Sequence, residues 1–446
     1  MFLLSTITIF LWIYLDHLYG FQIPSLESQE FHFPSVTDPF KVPLHFMDGI
    51  PTVSFTIGSP PQSVVGVFDT ATLISWVMSD KCNSTVCSTV ENKFSREKSS
   101  TNTALDYTIG IKYVDGSFVR VRPELDTLTL LESSISYPEH LIGEAYEVYY
   151  PKGYPTAANG RLGVGDFGVF QKYLDDAQGL IQGVDKIVNG ILMRAVGDDR
   201  TSSGYAASGS PDFKKRDGVH APFYWTLGSD PSKYTGKLYD LPLASVSLNV
   251  LSPFWKLNMH GIKLIPYQQP QDDDNNQNDT ENKKNMLPKQ SSALLRLTLS
   301  DTSFGSIDSS TPYIHLPKHL SQALNQRLGA QYDNSLKLYT IPCERKKIEP
   351  LWLIFELDGV DALIPAHQYM IERHKKCHTA IVDSDDDDQV HLGGPFFRSF
   401  YLEYRLTAKE VGIAESTAKL GLLRPPSKTG SYDLLNVDLN EMEVPI

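Results

Sequence analysis

One short pattern of residues occurs twice in the chain. Gly66-Val67-Phe68-Asp69-Thr70-Ala71-Thr72 is echoed by Gly305-Ser306-Ile307-Asp308-Ser309-Ser310-Thr311. Each copy sets an aspartate behind an apolar residue and ahead of a hydroxyl residue, a small residue and a threonine. A glycine pattern follows each copy: Arg161-Leu162-Gly163-Val164-Gly165 after the first, His391-Leu392-Gly393-Gly394 after the second. Asp69 lies 94 residues before Gly163, and Asp308 lies 85 before Gly393. A chain written this way folds as two related halves, each offering one aspartate on a turn. The length, 446 residues, is that of two core-bearing units. Asp301-Thr302-Ser303 is a rival start for the second copy. Ile307 before Asp308 and the apolar Tyr313 to Pro317 after it match the surroundings of the first copy, so Asp308 is preferred.

Between Val53 and Leu130, short runs of Val, Ile, Phe and Thr are broken by Gly and Pro, as in SFTIG, SVVGVFDTA, YTIGIKYVDGSFVRV and LDTLTL. These read as β-strands joined by tight turns. Aromatic residues reach 11% and hydrophobic residues 41%, which favours a mainly β chain with a solid core. Helical periodicity is confined to Gly168–Leu174 and His319–Leu328. Gly197–Gly218, the polar stretch Gln268–Ser292 and the tail beyond Ser416 read as surface insertions and a flexible end.

The net charge of −13 argues against nucleic-acid binding, which draws its affinity from clustered Lys and Arg. Acidic runs at Asp272–Asp274 and Asp383–Asp388 read as solvated loops, and so does the basic Lys214-Lys215-Arg216. Phe2 to Leu15 form an apolar run of 14 residues, long enough for a signal peptide ending near Gly20 and too short for a membrane span. No later stretch is apolar for long enough to cross a bilayer. Export fits the four cysteines, Cys82, Cys87, Cys343 and Cys377, an even number that favours disulfides. Asn83 and Asn278 head glycosylation tripeptides.

Two carboxylates brought face to face resist joint ionisation, so Asp69 and Asp308 would share one proton in acid. The ionised member can take a proton from water while the protonated one hydrogen-bonds a carbonyl becoming tetrahedral. Such chemistry needs no metal, cofactor or covalent intermediate. Thr70, Thr72, Ser309 and Thr311 are placed to orient the two aspartates. The sequence has no H-E-x-x-H, no G-x-S-x-G and no P-loop, so metal, serine and phosphoryl chemistries lack their usual frames.

At these residues the chain resembles the pepsin-like aspartic proteases, from about Val42 to Ala414. VFDTATLISWV resembles the first active-site loop, with Trp76 as its tryptophan, and CNSTVC resembles the small disulfide loop that follows. Tyr113-Val114-Asp115-Gly116-Ser117 resembles the tip of the flap, with Tyr113 as its tyrosine and Gly116 and Ser117 beside the substrate. NGRLGVG resembles the segment packed behind the first loop. Trp255 in PFWKLNMHGIKL, IDSSTPYIHLP and LGGPFFRSFYLEY resemble strands and the second active-site loop of the other half. Cys343 and Cys377 fall where the family's long disulfide lies.

The resemblance implies a bilobal fold, two antiparallel β-barrel-like lobes with a central cleft that holds an extended peptide. It divides the chain into a signal peptide at 1–20, an N-terminal segment with room for a short propeptide at 21–44, and lobes at 45–228 and 229–415. The second lobe carries the polar insertion 268–292, and 416–446 form the tail. A secreted or endolysosomal monomer acting on peptides or proteins is expected. Two departures bear on activity: Ala71 and Ser310 stand where the family has glycine, and only His32 and Lys41 are basic between Gly20 and Val42. Two functions stay open on the sequence: an aspartic endopeptidase, and a non-catalytic homologue that binds peptide or protein.

Overall fold

The computed structural model describes residues 40–164, 223–244, 255–266 and 295–426. Within those spans 48, 73, 106, 132–134, 151–157, 228–229, 301–302, 344–350, 374–375, 385–388 and 406–409 are excepted. The signal peptide, the Gly168–Leu174 helix, the Gly197–Gly218 and Gln268–Ser292 insertions and Asn278 all lie outside the described residues.

The chain is mostly β, as the alternating runs predict, and its two halves repeat one topology. In the first, Gln62–Asp69 runs parallel to Gly160–Gly163, with Asp69 opposite Gly163. Ser75–Met78 lies antiparallel to that same strand and parallel to Ile135–Tyr149. In the second half Phe304–Ile307 runs parallel to Gln389–Leu392. Ile314–Pro317 pairs antiparallel with Gln389–Leu392 and parallel with Ile381–Ser384. In each half the strand at the glycine pattern is thus gripped between two strands, one entering and one leaving the aspartate turn. Gly393 is needed for this closeness, since a Cβ there would lie 2.0 Å from the Tyr313 carbonyl oxygen.

Apolar residues at strand spacing fill the interior. In Phe118–Leu130, Val119, Val121, Leu128 and Leu130 point inward while Arg120 faces solvent. Val53, Phe55 and Phe68 join Leu257, Ile262, Ile307, Leu353 and Phe355 in one continuous core. Phe68 and Phe397 meet across the two halves at 6.3 Å between ring centroids. The second predicted helix spans Lys318–Leu328, buries Leu320, Leu324 and Leu328 on one stripe, and closes on Gly329 at φ 70°.

Two boundaries move. The strand Phe40–Met47 starts inside the expected N-terminal segment and pairs with Phe223–Leu227. Beyond Ser416 the chain is still packed: Leu420, Leu422 and Leu423 are buried, and Leu422–Arg424 pairs with Val360–Pro365. Apolar spacing too short to register as a strand by itself is decided here by the exposed sheet edge it covers. Disulfides join Cys82 to Cys87 and Cys343 to Cys377. Asn83 is exposed within the first, small loop.

Glu124 and Asp126 are buried at the same alternate spacing as Leu128 and Leu130, so the strand also carries acid inward. Asp126 is satisfied there by Thr101 Oγ1 at 2.6 Å and by the Ser99 hydroxyl at 3.1 Å. Glu144 takes the Ser79 hydroxyl at 2.6 Å. Glu124 is fully buried, and burial, with Glu144 and Asp126 nearby, pushes its carboxyl up to about 8. The folded form therefore holds a proton that the unfolded chain releases near the ordinary Glu value, so stability falls as pH rises between the two. Glu124→Gln should unfold like the native chain below about pH 4 and be more stable by about 2–4 kcal/mol above about pH 8. Thermal melts across that range check it.

Candidate active site

Each aspartate turn is pinned first to its own half. The Val164 N–H donates to the Asp69 carbonyl at 2.8 Å, and the Asp308 N–H to the Leu392 carbonyl at 3.2 Å. The turns are then locked to one another. The Thr70 N–H donates to Ser309 Oγ, and the Ser309 N–H donates to Thr70 Oγ1, both at 3.0 Å. Thr70 Oγ1 passes its own proton to the Ile307 carbonyl at 3.0 Å, and Ser309 Oγ to the Phe68 carbonyl at 2.6 Å. The four bonds are buried and cross between residues some 240 positions apart. The sequence reading gave Thr70 and Ser309 the task of orienting their neighbouring aspartates. Their hydroxyls instead reach the opposite turn, so what they set is the placement of the two turns together.

Orientation of the carboxyls comes from the next residue along. The Ala71 N–H donates to Asp69 Oδ1 at 2.7 Å. On the other side the Ser310 N–H and hydroxyl both donate to Asp308 Oδ1, at 2.9 and 2.7 Å. Among the described residues the non-glycines with positive φ are Glu139, Lys337 and Lys419. Ala71 and Ser310 therefore sit in backbone that any residue adopts, and their side chains need no glycine. The Ser310 hydroxyl adds a second donor beside the N–H that a glycine would also offer. Thr72 Oγ1 accepts from the Ile74 N–H at 3.4 Å, and Thr311 Oγ1 meets His315 Nε2 at 2.8 Å. Both hold their turns rather than touching an aspartate.

The Ile109–Lys112 and Phe118–Leu130 strands form a hairpin whose tip is Tyr113–Ser117. Gly116 takes φ 81° there, with nothing within 4 Å of a Cβ built on it. The Ser117 N–H and hydroxyl cap Asp115 Oδ1 at 2.8 and 2.6 Å. Trp76 Nε1 donates to the Tyr113 hydroxyl at 2.8 Å, which ties the hairpin to the strand that leaves the first aspartate turn.

Arg161, two residues before Gly163, is fully buried between these parts. Its guanidinium donates to Asp69 Oδ2 at 2.7 Å, lies 3.8 Å from Asp115 Oδ2, and stacks on the Tyr113 ring at 3.8 Å. The expectation that NGRLGVG packs behind the turn holds for its backbone; the arginine side chain comes forward to the carboxyl. In the second half, the residue two before the matching glycine is His391, packed edge-on against His315 at 6.3 Å.

Asp69 and Asp308 are both buried, at 0% and 1% exposure. Burial raises the Asp69 carboxyl above its ordinary value, and the Arg161 guanidinium opposes that rise. Burial and then the negative charge of Asp69 push Asp308 up to about 7. Asp115 also acts on both carboxyls. The negative charge of Asp69 thus bears on the Asp308 proton.

A family model described as eukaryotic aspartyl protease matches residues 52–416. The chain belongs to the eukaryotic aspartyl protease family. Gastricsin of Macaca fuscata fuscata is 23% identical over 410 residues, covering 86% of this chain and 88% of the relative. Vacuolar protease A of Neurospora crassa is 26% identical over 388 residues, covering 84% and 80%. Human gastricsin is 24% identical over 377 residues, covering 83% of each. Family membership and the mostly β, two-part fold agree with the sequence reading. No helix among the described residues is long and apolar enough to cross a membrane.

Proposed function

We propose that this aspartyl protease relative is an endopeptidase in which Asp69 and Asp308 together activate water against a peptide bond. The observation that carries the reading is the crossed Thr70–Ser309 hydrogen bonding, which ties together the two turns that carry Asp69 and Asp308. The pair then runs a closed proton circuit. Water gives a proton to ionised Asp69 as its oxygen bonds to the substrate carbonyl carbon, and protonated Asp308 gives its proton to the carbonyl oxygen. When the C–N bond breaks, Asp69 passes its proton to the departing amine and the diol returns a proton to Asp308. Both carboxyls end as they began.

The Tyr113–Ser117 hairpin serves as the flap over an extended peptide, with Trp76, Gly116 and Ser117 along its inner side. Ala71 and Ser310 are compatible with this chemistry, because neither strains its turn and Ser310 adds a hydrogen bond to Asp308. Export, to the cell exterior or an endolysosomal compartment, is supported by the apolar N-terminal run and by the two disulfides. Asn83, exposed in its loop, is the glycosylation acceptor we favour.

One observation favours a second reading, a binding protein that does not turn substrate over: Arg161 fills the space between Asp69 and the flap. Incubation of the mature chain with denatured protein between about pH 3 and pH 7, with and without a pepstatin-type transition-state mimic, separates the two. Cleavage that the mimic blocks supports the peptidase. Peptide binding with no such cleavage at any pH supports the binding protein.

A further inference from the structure

Two acidic groups at one site leave open which of them keeps the single proton. The surroundings here are unequal. Asp69 has a permanent cation on Oδ2, the Arg161 guanidinium at 2.7 Å, and the ion pair is fully buried on both sides. Among the described residues the hydrogen-bond donors to the Asp308 carboxyl are neutral, the Ser310 N–H and hydroxyl. The position in the second half that matches Arg161 holds His391, an imidazole. Its neighbour His315 is held neutral by burial, lowered to about 3.

The groups facing Arg161 come from three elements. Asp69 belongs to the aspartate turn, Tyr113, Asp115 and Ser117 to the flap, and Tyr150 to the end of the strand beside it. Of these Asp115 is the second acid, and Ser117 already caps its other oxygen at 2.6 Å. A guanidinium reaches two carboxylates at once because its donors fan out in a plane.

We propose that Arg161 is a positioning residue of the aspartate pair: it fixes the negative charge on Asp69, leaves the shared proton on Asp308, and links that arrangement to flap closure through Asp115. The inference rests on the peptidase reading for its catalytic meaning, although the charge placement exists with or without turnover. Asp69 is then the base and Asp308 the acid in every cycle. The flap also has a reason to rest closed, since lifting it takes Asp115 away from a buried cation.

The test is a titration of the native chain and of Arg161→Leu and Arg161→Lys, labelled with ¹³C at the aspartate carboxyls and assigned with Asp69→Asn and Asp308→Asn. As pH rises Asp69 should ionise before Asp308. Arg161→Leu should move the Asp69 midpoint up by about one pH unit or more, and Arg161→Lys should fall between the two. The acid limb of kcat/KM should move with the Asp69 midpoint. Asp308 ionising first, or an Asp69 midpoint equal in Arg161→Leu and the native chain, overturns the proposal. Should Arg161→Leu fail to fold, the order of ionisation in the native chain and the Arg161→Lys midpoint still decide it. Absence of turnover at every pH removes the peptidase reading and leaves the titration to judge Arg161 on its own.

Discussion

Asp308→Asn is expected to lower kcat by about 10³-fold or more, because the amide cannot deliver a proton to the carbonyl oxygen and recover it. The same change should leave the acid-pH melting temperature almost untouched. In the folded chain Asp308 is already neutral below its value of about 7, so a neutral amide of the same shape replaces like with like. Asp69→Asn should be as inactive yet behave differently in the melt. It takes the carboxylate away from a buried guanidinium, which leaves Arg161 facing Asp115 at the longer distance of 3.8 Å. Removing one partner of a buried pair costs about 3 kcal/mol or more. Paired kinetics and melts of the two variants check both statements: equal inactivity with unequal stability is the expected outcome. Full activity in either variant would refute the mechanism.

The second large effect belongs to the crossed hydrogen bonds. Ser309→Ala strips the acceptor from the Thr70 N–H and the donor from the Phe68 carbonyl, both buried. Each orphaned group costs about 1–3 kcal/mol, so a loss of about 3 kcal/mol is expected. Thr70→Val, nearly the same shape, orphans the Ser309 N–H and the Ile307 carbonyl in the same way. The double variant should cost less than the sum, since the four bonds form one network. Both single variants should also lose kcat, because the carboxyls no longer meet at a fixed separation. Denaturant unfolding of the four proteins closes the cycle. Additive losses, or single losses under about 0.5 kcal/mol, would show that the turns are held by something else.

How far the site was legible depends on the range over which each part is specified. Asp69 and Asp308 stand out because the same local pattern is written twice, and a turn needs only its own few residues. The hairpin tip at Tyr113–Ser117 was singled out by its resemblance to the family's flap, and in the fold Asp115, Gly116 and Ser117 form a local hydrogen-bonded turn with a positive φ at glycine. Arg161 was not. Along a strand, alternate side chains face opposite ways, and which way is known only once the pairing register is known. Its register is set by Val67 on one side and Trp76 on the other, both far away in sequence. The Thr70 and Ser309 hydroxyls were recognised as supporting groups, but nothing local says that each bonds to the other turn. The strand at Leu422–Arg424 was lost to the polar run around it; its pairing with Val360–Pro365 appears only once the sheet is formed.

Buried acids recur beyond the site. Glu124 and Asp308 both hold protons more tightly than free carboxyls, and each makes the folded chain relatively more stable in acid than near neutrality. Such a balance suits a protein whose proposed chemistry requires one of those protons.

The pH dependence of kcat/KM for the native chain, followed from about pH 4 to pH 9, bears most directly on the shared proton. The expected result is a descent through about pH 7 as Asp308 gives up its proton. Activity that holds level or climbs across that range would contradict a reaction driven by these two aspartates.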